Sequence, residues 1–254
     1  NPFTNMLPNV AKNEDFKFLL SAHKRLPLFE DVYPNCHFGR LVHLTAHSEN
    51  ISKKSNENNI PIYEGKFIEQ YDARFSTFEG MPDSTKYASK ASARKNEEID
   101  GVKPIPESRF FIDKTFWDKF IVQYSEKYSL CWRSLTSPTN ARTTIAMILP
   151  TCPTCQSIQM LQIKNDVDLM LILGLFNSLP FDYFVRLKMP GIDLTQSVIK
   201  QIPVPCADKY EEYAIFNSRN EKLITHILSS VCHLIRKEER LQSLCNSVEH
   251  LIYK

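Results

Sequence analysis

The chain has 254 residues, of which 43% are hydrophobic and 11% aromatic, and its 31 basic and 29 acidic side chains give a net charge of +2. This composition is sufficient for a packed core, and it excludes a wholly disordered chain and a histone-like polycation. It does not exclude a local basic groove, because DNA responds to the distribution of charge over the surface.

Cysteine usage and hydropathy indicate the compartment. Seven cysteines without regular spacing do not form a disulfide framework, which favours the reducing cytoplasm. The longest apolar run, over 169–176, is too short to span a bilayer, and no apolar leader is visible. We therefore predict a cytoplasmic protein without a membrane partner. The opening at Asn1, without an initiator methionine, suggests a fragment or a processed product.

The first half of the chain alternates helical and β-rich patterns. Apolar residues at three- and four-residue steps predict a helix over 14–26, ended by Pro27. Loose alternation predicts a strand over 39–47, and a polar loop follows over 48–59. Residues 60–78 predict two β-rich segments with a bend or bulge at Gly65. A polar, charged excursion then occupies 80–104.

The second half becomes increasingly helical. Residues 120–135 and the β-branched run ending at Pro150 predict further strands. Helices are predicted over 166–178 and 180–189, and the prolines of 199–205 favour an extended segment. An apolar stripe over 224–252 predicts one long C-terminal helix. Strands followed by helices predict an α+β fold.

The sequence lacks the usual signatures of catalysis. No Gly-rich nucleotide loop, P-loop or GxSxG elbow is present, and the six glycines do not cluster. The Asn- or Asp-Pro-Pro-aromatic motif of amino-methyltransferases is also missing. Cys152 and Cys155 have the spacing of half a zinc site, but no second ligand pair accompanies them. We predict no catalytic residue, no metal site and no cofactor within the chain.

Glu64-Gly65-Lys66 has the form of a metal-dependent nuclease's second carboxylate and lysine. Such a site needs another acid beside it so that two carboxylates hold a divalent cation, and Asp31 is the upstream candidate. The alternative is a strand that carries ordinary charged side chains.

Two stretches concentrate side chains suited to DNA. Arg and Lys pair with guanine, Asn and Gln with adenine, and Asp and Glu with cytosine. The alternative is a set of solvated faces with local salt bridges, such as Asp72 with Arg74. The candidate DNA-binding residues are Tyr63, Glu64, Lys66, Gln70, Asp72, Arg74, Arg133, Thr139, Asn140, Arg142 and Thr143.

Three blocks of the chain resemble the C-terminal region of large restriction–modification adenine methyltransferases, which include type IIG enzymes and type II methylases. They occur in the same order as in the family, and together with the opening segment of the chain they cover roughly residues 1–205. The first block matches at Pro61, Tyr63, Glu64, Gly65, Lys66, Gln70, Tyr71, Asp72, Arg74 and Phe75. The second is similar at Arg133, Asn140, Arg142, Thr143, Ala146 and Pro150, and the third spans 173–205 and closes with Lys200 to Pro205.

The resemblance implies a DNA target-recognition domain over 1–205, strand-rich over 39–150 and helical over 166–189, followed by a C-terminal helical segment over 206–254. The parent enzyme would methylate the exocyclic amine of adenine with S-adenosylmethionine held in an upstream catalytic domain, with a restriction endonuclease either fused or separate. The partners would be double-stranded DNA and that upstream methyltransferase domain.

The resemblance also suggests roles for individual residues. Lys66, Arg74, Arg133 and Arg142 would contact phosphates or guanine. Gln70 and Asn140 would read adenine, while Glu64 and Asp72 would orient the cations or accept from cytosine. The 80–104 excursion has no counterpart in the family pattern. A metal-dependent nuclease using Glu64 and Lys66, and a non-catalytic protein-interaction scaffold, are the alternative functions.

Overall fold

The computed structural model describes residues 8, 10–88, 92–95, 105–216 and 218–252. Much of the predicted 80–104 excursion, at 89–91 and 96–104, lies outside the described residues, as does most of the opening segment. The described residues combine helices with antiparallel strands, so the α+β prediction is confirmed. The helices are α1 (Asn13–Arg25), α2 (Phe29–Val32), α3 (Asp83–Lys86), α4 (Lys114–Phe120), α5 (Asp166–Phe176), α6 (Leu179–Lys188), α7 (Gln196–Lys200), α8 (Leu223–Ile235) and α9 (Gln242–Ile252).

The strands of the described residues form four separate sheets. The largest has the order β1-β9-β7-β8, a second has the order β2-β6-β3, and β4 with β5 and β10 with β11 form two-stranded pairs. The strands are β1 (His37–Gly39), β2 (Ile51–Ser52), β3 (Asn59–Pro61), β4 (Ser76–Thr77), β5 (Arg94–Lys95), β6 (Phe111–Asp113), β7 (Tyr128–Arg133), β8 (Ala146–Pro150), β9 (Ile158–Gln162), β10 (Tyr213–Phe216) and β11 (Arg219–Lys222).

The largest sheet forms the centre of the core. Strand β9 is buried along its whole length, and so are the first five residues of β7. Trp132 on β7 is fully buried and donates its indole N–H to the Leu194 carbonyl at 3.0 Å. A buried tryptophan N–H needs a hydrogen-bond acceptor, and this carbonyl supplies it. Helix α5 packs against β7 and β8, and α8 and α9 pack in turn against α5.

The helices predicted over 14–26, 166–178 and 180–189 are confirmed as α1, α5 and α6. Local signals define the last two. Asn165 caps α5 by accepting from the Val167 and Asp168 amides, and Ser178 caps α6 by accepting from Phe181. No single helix of the described residues is both long and apolar enough to cross a bilayer. Helices α5 and α6 meet that test only together, and they bend by 69° where they meet.

Several strand predictions were wrong. Of the strand expected over 39–47, only Gly39 lies in a strand, at the end of β1 (His37–Gly39). Turns follow β1, and the His43 amide donates to the His47 imidazole. Of 120–135, only Tyr128–Arg133 is a strand, because α4 and a 3-10 turn at Ile121–Gln123 come before it. The loop predicted over 48–59 contains the two-residue strand β2 and the start of β3.

The 60–78 segment is also different from the prediction. Strand β3 ends at Pro61, a 3-10 turn occupies Gly65–Phe67, and only Ser76–Thr77 returns to a strand. Glu64 and Lys66 therefore do not share a strand face. The bend expected at Gly65 is confirmed, because the turn begins at that residue.

The predicted single C-terminal helix is two helices, α8 and α9, which are separated at 236–241. Glu238 explains the break. Its side chain is buried, caps the following 3-10 turn and binds the Arg240 guanidinium at 2.6 Å. The segment over 206–254 also contains the hairpin β10–β11, which the sequence did not predict.

We predict that Gly65→Ala destabilises the protein. An added Cβ would lie 2.8 Å from the Ser157 carbonyl oxygen and 3.1 Å from its Oγ, closer than a side chain tolerates. The expected loss in the free energy of unfolding, measured by urea denaturation, is about 1–3 kcal/mol. Gly191→Ala is the matched control, since its added Cβ meets no atom within 4 Å. Equal stability of the two variants would contradict the prediction.

Candidate nucleic-acid interface

The first two blocks of the resemblance meet at Arg133, at the end of β7. Its guanidinium Nε donates to the carbonyl oxygens of Gly65 and Ile68, both at 3.0 Å, and its Nη2 lies 3.2 Å from the Glu69 carboxylate. Burial lowers the pKa of Arg133, and Glu69 opposes that shift. Arg133 therefore holds the 65–69 turn by its backbone, although the sequence proposed it as a DNA contact.

The third block joins the second through a buried carboxylate on α6. Asp182 is 4% exposed, and its Oδ1 accepts from the amides of Thr143 at 2.8 Å and Thr144 at 2.7 Å. Its Oδ2 accepts from Arg186 Nε at 2.7 Å, and Arg142 lies 3.7 Å away. This carboxylate fixes the loop between β7 and β8 against α6.

A buried asparagine adds a second link between these blocks. Asn177 accepts from the Ala146 amide at 3.1 Å and donates to the Ala146 carbonyl at 2.9 Å, as a neighbouring strand would. The first block connects here as well, because the Gln70 side-chain amide donates to the Thr144 carbonyl at 3.1 Å. Tyr71 follows in a left-handed conformation with φ of 60°, which is rare for a bulky residue. We call these contacts of Arg133, Asn177, Asp182 and Gln70 the junction.

Glu64, the possible nuclease carboxylate, has both oxygens occupied. Arg109 donates to them through Nε and Nη2, each at 3.0 Å, and Glu64 is 4% exposed. Lys66 lies over the Phe78 ring at 5.1 Å, and burial lowers the pKa of Lys66 while Glu64 opposes that shift. A role in metal binding would require Glu64 to give up the Arg109 pair. Among the described residues, no group of three or more His, Cys, Asp or Glu is placed to hold a metal ion.

Within the described residues, no third His, Cys, Asp or Glu joins Cys152 and Cys155 in a group that could hold a metal ion. Burial raises the pKa of Cys152 to about 12 and also raises the pKa of Cys155. The Cys155 thiol is in hydrogen-bond contact with Ser157 Oγ at 2.9 Å.

The eleven candidate DNA-binding residues differ in their access to solvent. Tyr63, Glu64 and Thr143 are buried, and the Tyr63 hydroxyl donates to the Ala73 carbonyl. Those at the surface are Asp72, Thr139 and Asn140. The partly exposed members are Lys66, Gln70, Arg74, Arg133 and Arg142.

Basic side chains gather around the half-buried ring of Phe75. Lys95 Nζ lies 5.9 Å from the ring centroid and Arg133 Cζ lies 5.7 Å from it. Arg74 donates to the backbone carbonyl of Lys237 at 2.9 Å, and Lys237 is exposed. We call Arg74, Lys95, Arg133 and Lys237 around Phe75 the basic surface. Two of these cations already have carboxylate partners, Arg133 with Glu69 at 3.2 Å and Arg74 with Glu238 at 3.7 Å. Among the described residues, Lys95 and Lys237 are the members of the basic surface without an ion pair.

Sequence reasoning found Arg74 and Arg133 but missed Lys95 and Lys237. Lys95 lies in the charged 80–104 excursion, and it reaches Phe75 because β5 pairs with β4, with Ser76 opposite Lys95. Lys237 lies in the break between α8 and α9. Neither position shows a local pattern, since both depend on pairing between distant segments. Arg109, the partner of Glu64, was missed for the same reason.

The sequence was compared with models of known protein families and with curated proteins, and neither comparison gives a match.

We predict that Asp182→Ala is strongly destabilising, because it leaves two buried amides and the Arg186 Nε without their acceptor and removes the carboxylate near Arg142. The free energy of unfolding in urea should fall by about 3 kcal/mol. Asp193→Ala removes a comparable pair with Arg40 in which the side chains are 39% and 29% exposed. That control should cost less than about 1 kcal/mol. The role assigned to Asp182 is wrong if the two variants unfold alike.

Proposed function

We propose that the chain is the DNA target-recognition module of a restriction–modification adenine-N6 methyltransferase. The observation that supports this most is the junction. The three blocks that carry the family resemblance are far apart in sequence, yet they bond to one another through Arg133, Asn177, Asp182 and Gln70. The segments that carry the resemblance thus form one hydrogen-bonded framework.

In this proposal the basic surface contacts the DNA backbone. Lys95 and Lys237 supply positive charge there, beside Arg74 and Arg133, which are paired with Glu238 and Glu69. Basic side chains release counterions when they meet phosphates. The exposed Asp72, Thr139 and Asn140 remain available for base edges. The buried Tyr63, Glu64 and Thr143 would act by holding the backbone that presents these groups, since backbone positioning and base reading are separate tasks.

Methyl transfer itself is assigned to an upstream domain. Adenine must leave the base stack to be methylated, and this chain would hold the duplex in register while that happens. In this proposal the upstream domain, and not this chain, holds S-adenosylmethionine. The apolar groove of about 440 Å³ beside Tyr71 has no acidic side chain in its lining, whereas a carboxylate is the usual partner of ribose hydroxyls.

The first test measures duplex binding by fluorescence anisotropy at several salt concentrations. The chain should bind mixed-sequence duplex DNA with a negative salt slope. Arg74→Ala, Lys95→Ala and Lys237→Ala should each weaken binding and make the slope smaller by about 1. Lys24→Ala is the matched control, because Lys24 is exposed on α1, which packs against α6. An absence of binding at 50 mM salt, or equal behaviour of all variants, would rule out the assignment.

A second test separates a recognition module from a general DNA binder. Repeated selection from a random duplex pool should enrich one consensus that contains adenine. Asn140→Ala should relax the preference at one position, with a discrimination loss of about 1–3 kcal/mol per lost base contact. Ser229→Ala, at an exposed polar position of α8, should leave the consensus unchanged. A pool that stays random would count against target recognition.

A further inference from the structure

A second cleft, whose lining shares no residue with the basic surface, lies between the 52–59 turn and the segment that includes α3. Its volume is about 720 Å³, and Lys53, Lys54 and Lys86 contribute to its lining. Lys86 is paired with Glu107 at 2.7 Å, and Asp83 is the other carboxylate in the lining. Within the described part of the chain, neither Lys53 nor Lys54 takes part in an ion pair, so the cleft has an excess of positive charge.

The turn that presents the two lysines is closed by its own side chains. Ser52 Oγ donates to the Lys54 carbonyl at 2.8 Å, and Asn59 Nδ2 donates to the same carbonyl at 2.9 Å. The Asn56 amide donates to Asn59 Oδ1 at 3.1 Å, and the Asn58 amide donates to Asn56 Oδ1 at 2.8 Å. Asparagine side chains that mimic backbone turns restrict such a loop. The two ammonium groups are therefore presented by a preorganised backbone.

Hydrogen bonds hold the wall of the cleft that includes Tyr87 and α3. The Tyr87 hydroxyl donates to the Lys53 carbonyl at 2.6 Å, and Lys53 Nζ lies 5.1 Å from the Tyr87 ring centroid. Arg109 donates to the Lys86 carbonyl at 3.0 Å while it holds Glu64. The buried Glu64–Arg109 pair thus positions α3 and with it the wall of the cleft.

We infer that this cleft binds a nucleotide unit of a DNA strand, with its phosphate on Lys53 and Lys54. A volume of about 720 Å³ is larger than a phosphate needs and accommodates a sugar as well. Tyr87, Ile105 and Phe111 supply an apolar wall against which a deoxyribose packs. The inference rests on the proposed function and adds a second, separate phosphate contact to it.

The test compares two double variants in the anisotropy assay with a labelled mixed-sequence duplex. Lys53→Ala/Lys54→Ala should make the salt slope smaller by about 0.9, because the two lysines share one phosphate and each phosphate contact contributes about 0.9 to the slope for duplex DNA. Lys53→Arg/Lys54→Arg should keep the slope of the wild type. Lys17→Ala/Lys24→Ala removes the same charge from the exposed side of α1 and should also keep it. Both lysines of the turn are exposed, so thermal melts should coincide with that of the wild type.

The outcomes separate the inference from the proposed function. If the wild-type chain binds duplex and the Lys53/Lys54 alanine variant has an unchanged slope, the cleft assignment is overturned while DNA recognition stands. If the salt slope of duplex binding decreases equally in both alanine double variants, the effect is one of net charge and the cleft assignment is again overturned. If the wild-type chain does not bind duplex, both fail together.

Discussion

The carboxylate of Asp182 is the interaction on which the architecture around the candidate interface depends. It accepts from two adjacent amides, those of Thr143 and Thr144, and it neutralises Arg186 from the same helix. Hydrogen bonds to an ionised acceptor are stronger than neutral ones, and burial keeps water from competing. The position of the loop between β7 and β8 is therefore fixed by α6. The Gln70 side-chain amide donates to the Thr144 carbonyl, so the position of the 69–72 turn also depends on the Asp182 carboxylate.

This arrangement changes how the residues of the family resemblance are understood. Many of them bond to backbone groups inside the protein, as Arg133 does with the 65–69 turn and Arg142 does with the Asn177 carbonyl at 2.6 Å. Side chains without a counterpart in the resemblance, such as Lys95 and Lys237, lie on the outside. A framework that presents different surfaces needs strong internal bonds at fixed places, while discrimination belongs to the groups that face the partner. We therefore regard the matched blocks mainly as the support of the interface.

The parts of the fold that were predictable from sequence are those with local causes. Helices α5 and α6 have their capping residues, Asn165 and Ser178, directly before them. The 60–78 segment was mispredicted because its polar groups are satisfied by distant partners, and alternation alone resembles a strand. The apolar stripe of the C-terminal region continues across its break, which depends on the burial of Glu238. The candidate site was predictable only for Arg74 and Arg133, since Lys95 reaches Phe75 through strand pairing that leaves no local signature.

The self-contained bonding of the 52–59 turn has an evolutionary consequence. Its two ends, Ser52 and Asn59, pair with β6, while the residues between them bond mainly to one another. Their external contacts include the Tyr87 hydroxyl and the Asn58 carbonyl, which accepts from the Lys114 amide at 2.9 Å. Substitutions or length changes at its tip therefore leave the core and the junction undisturbed. New binding properties can arise there by exchanging a few residues, with no need to redesign the domain that supports them.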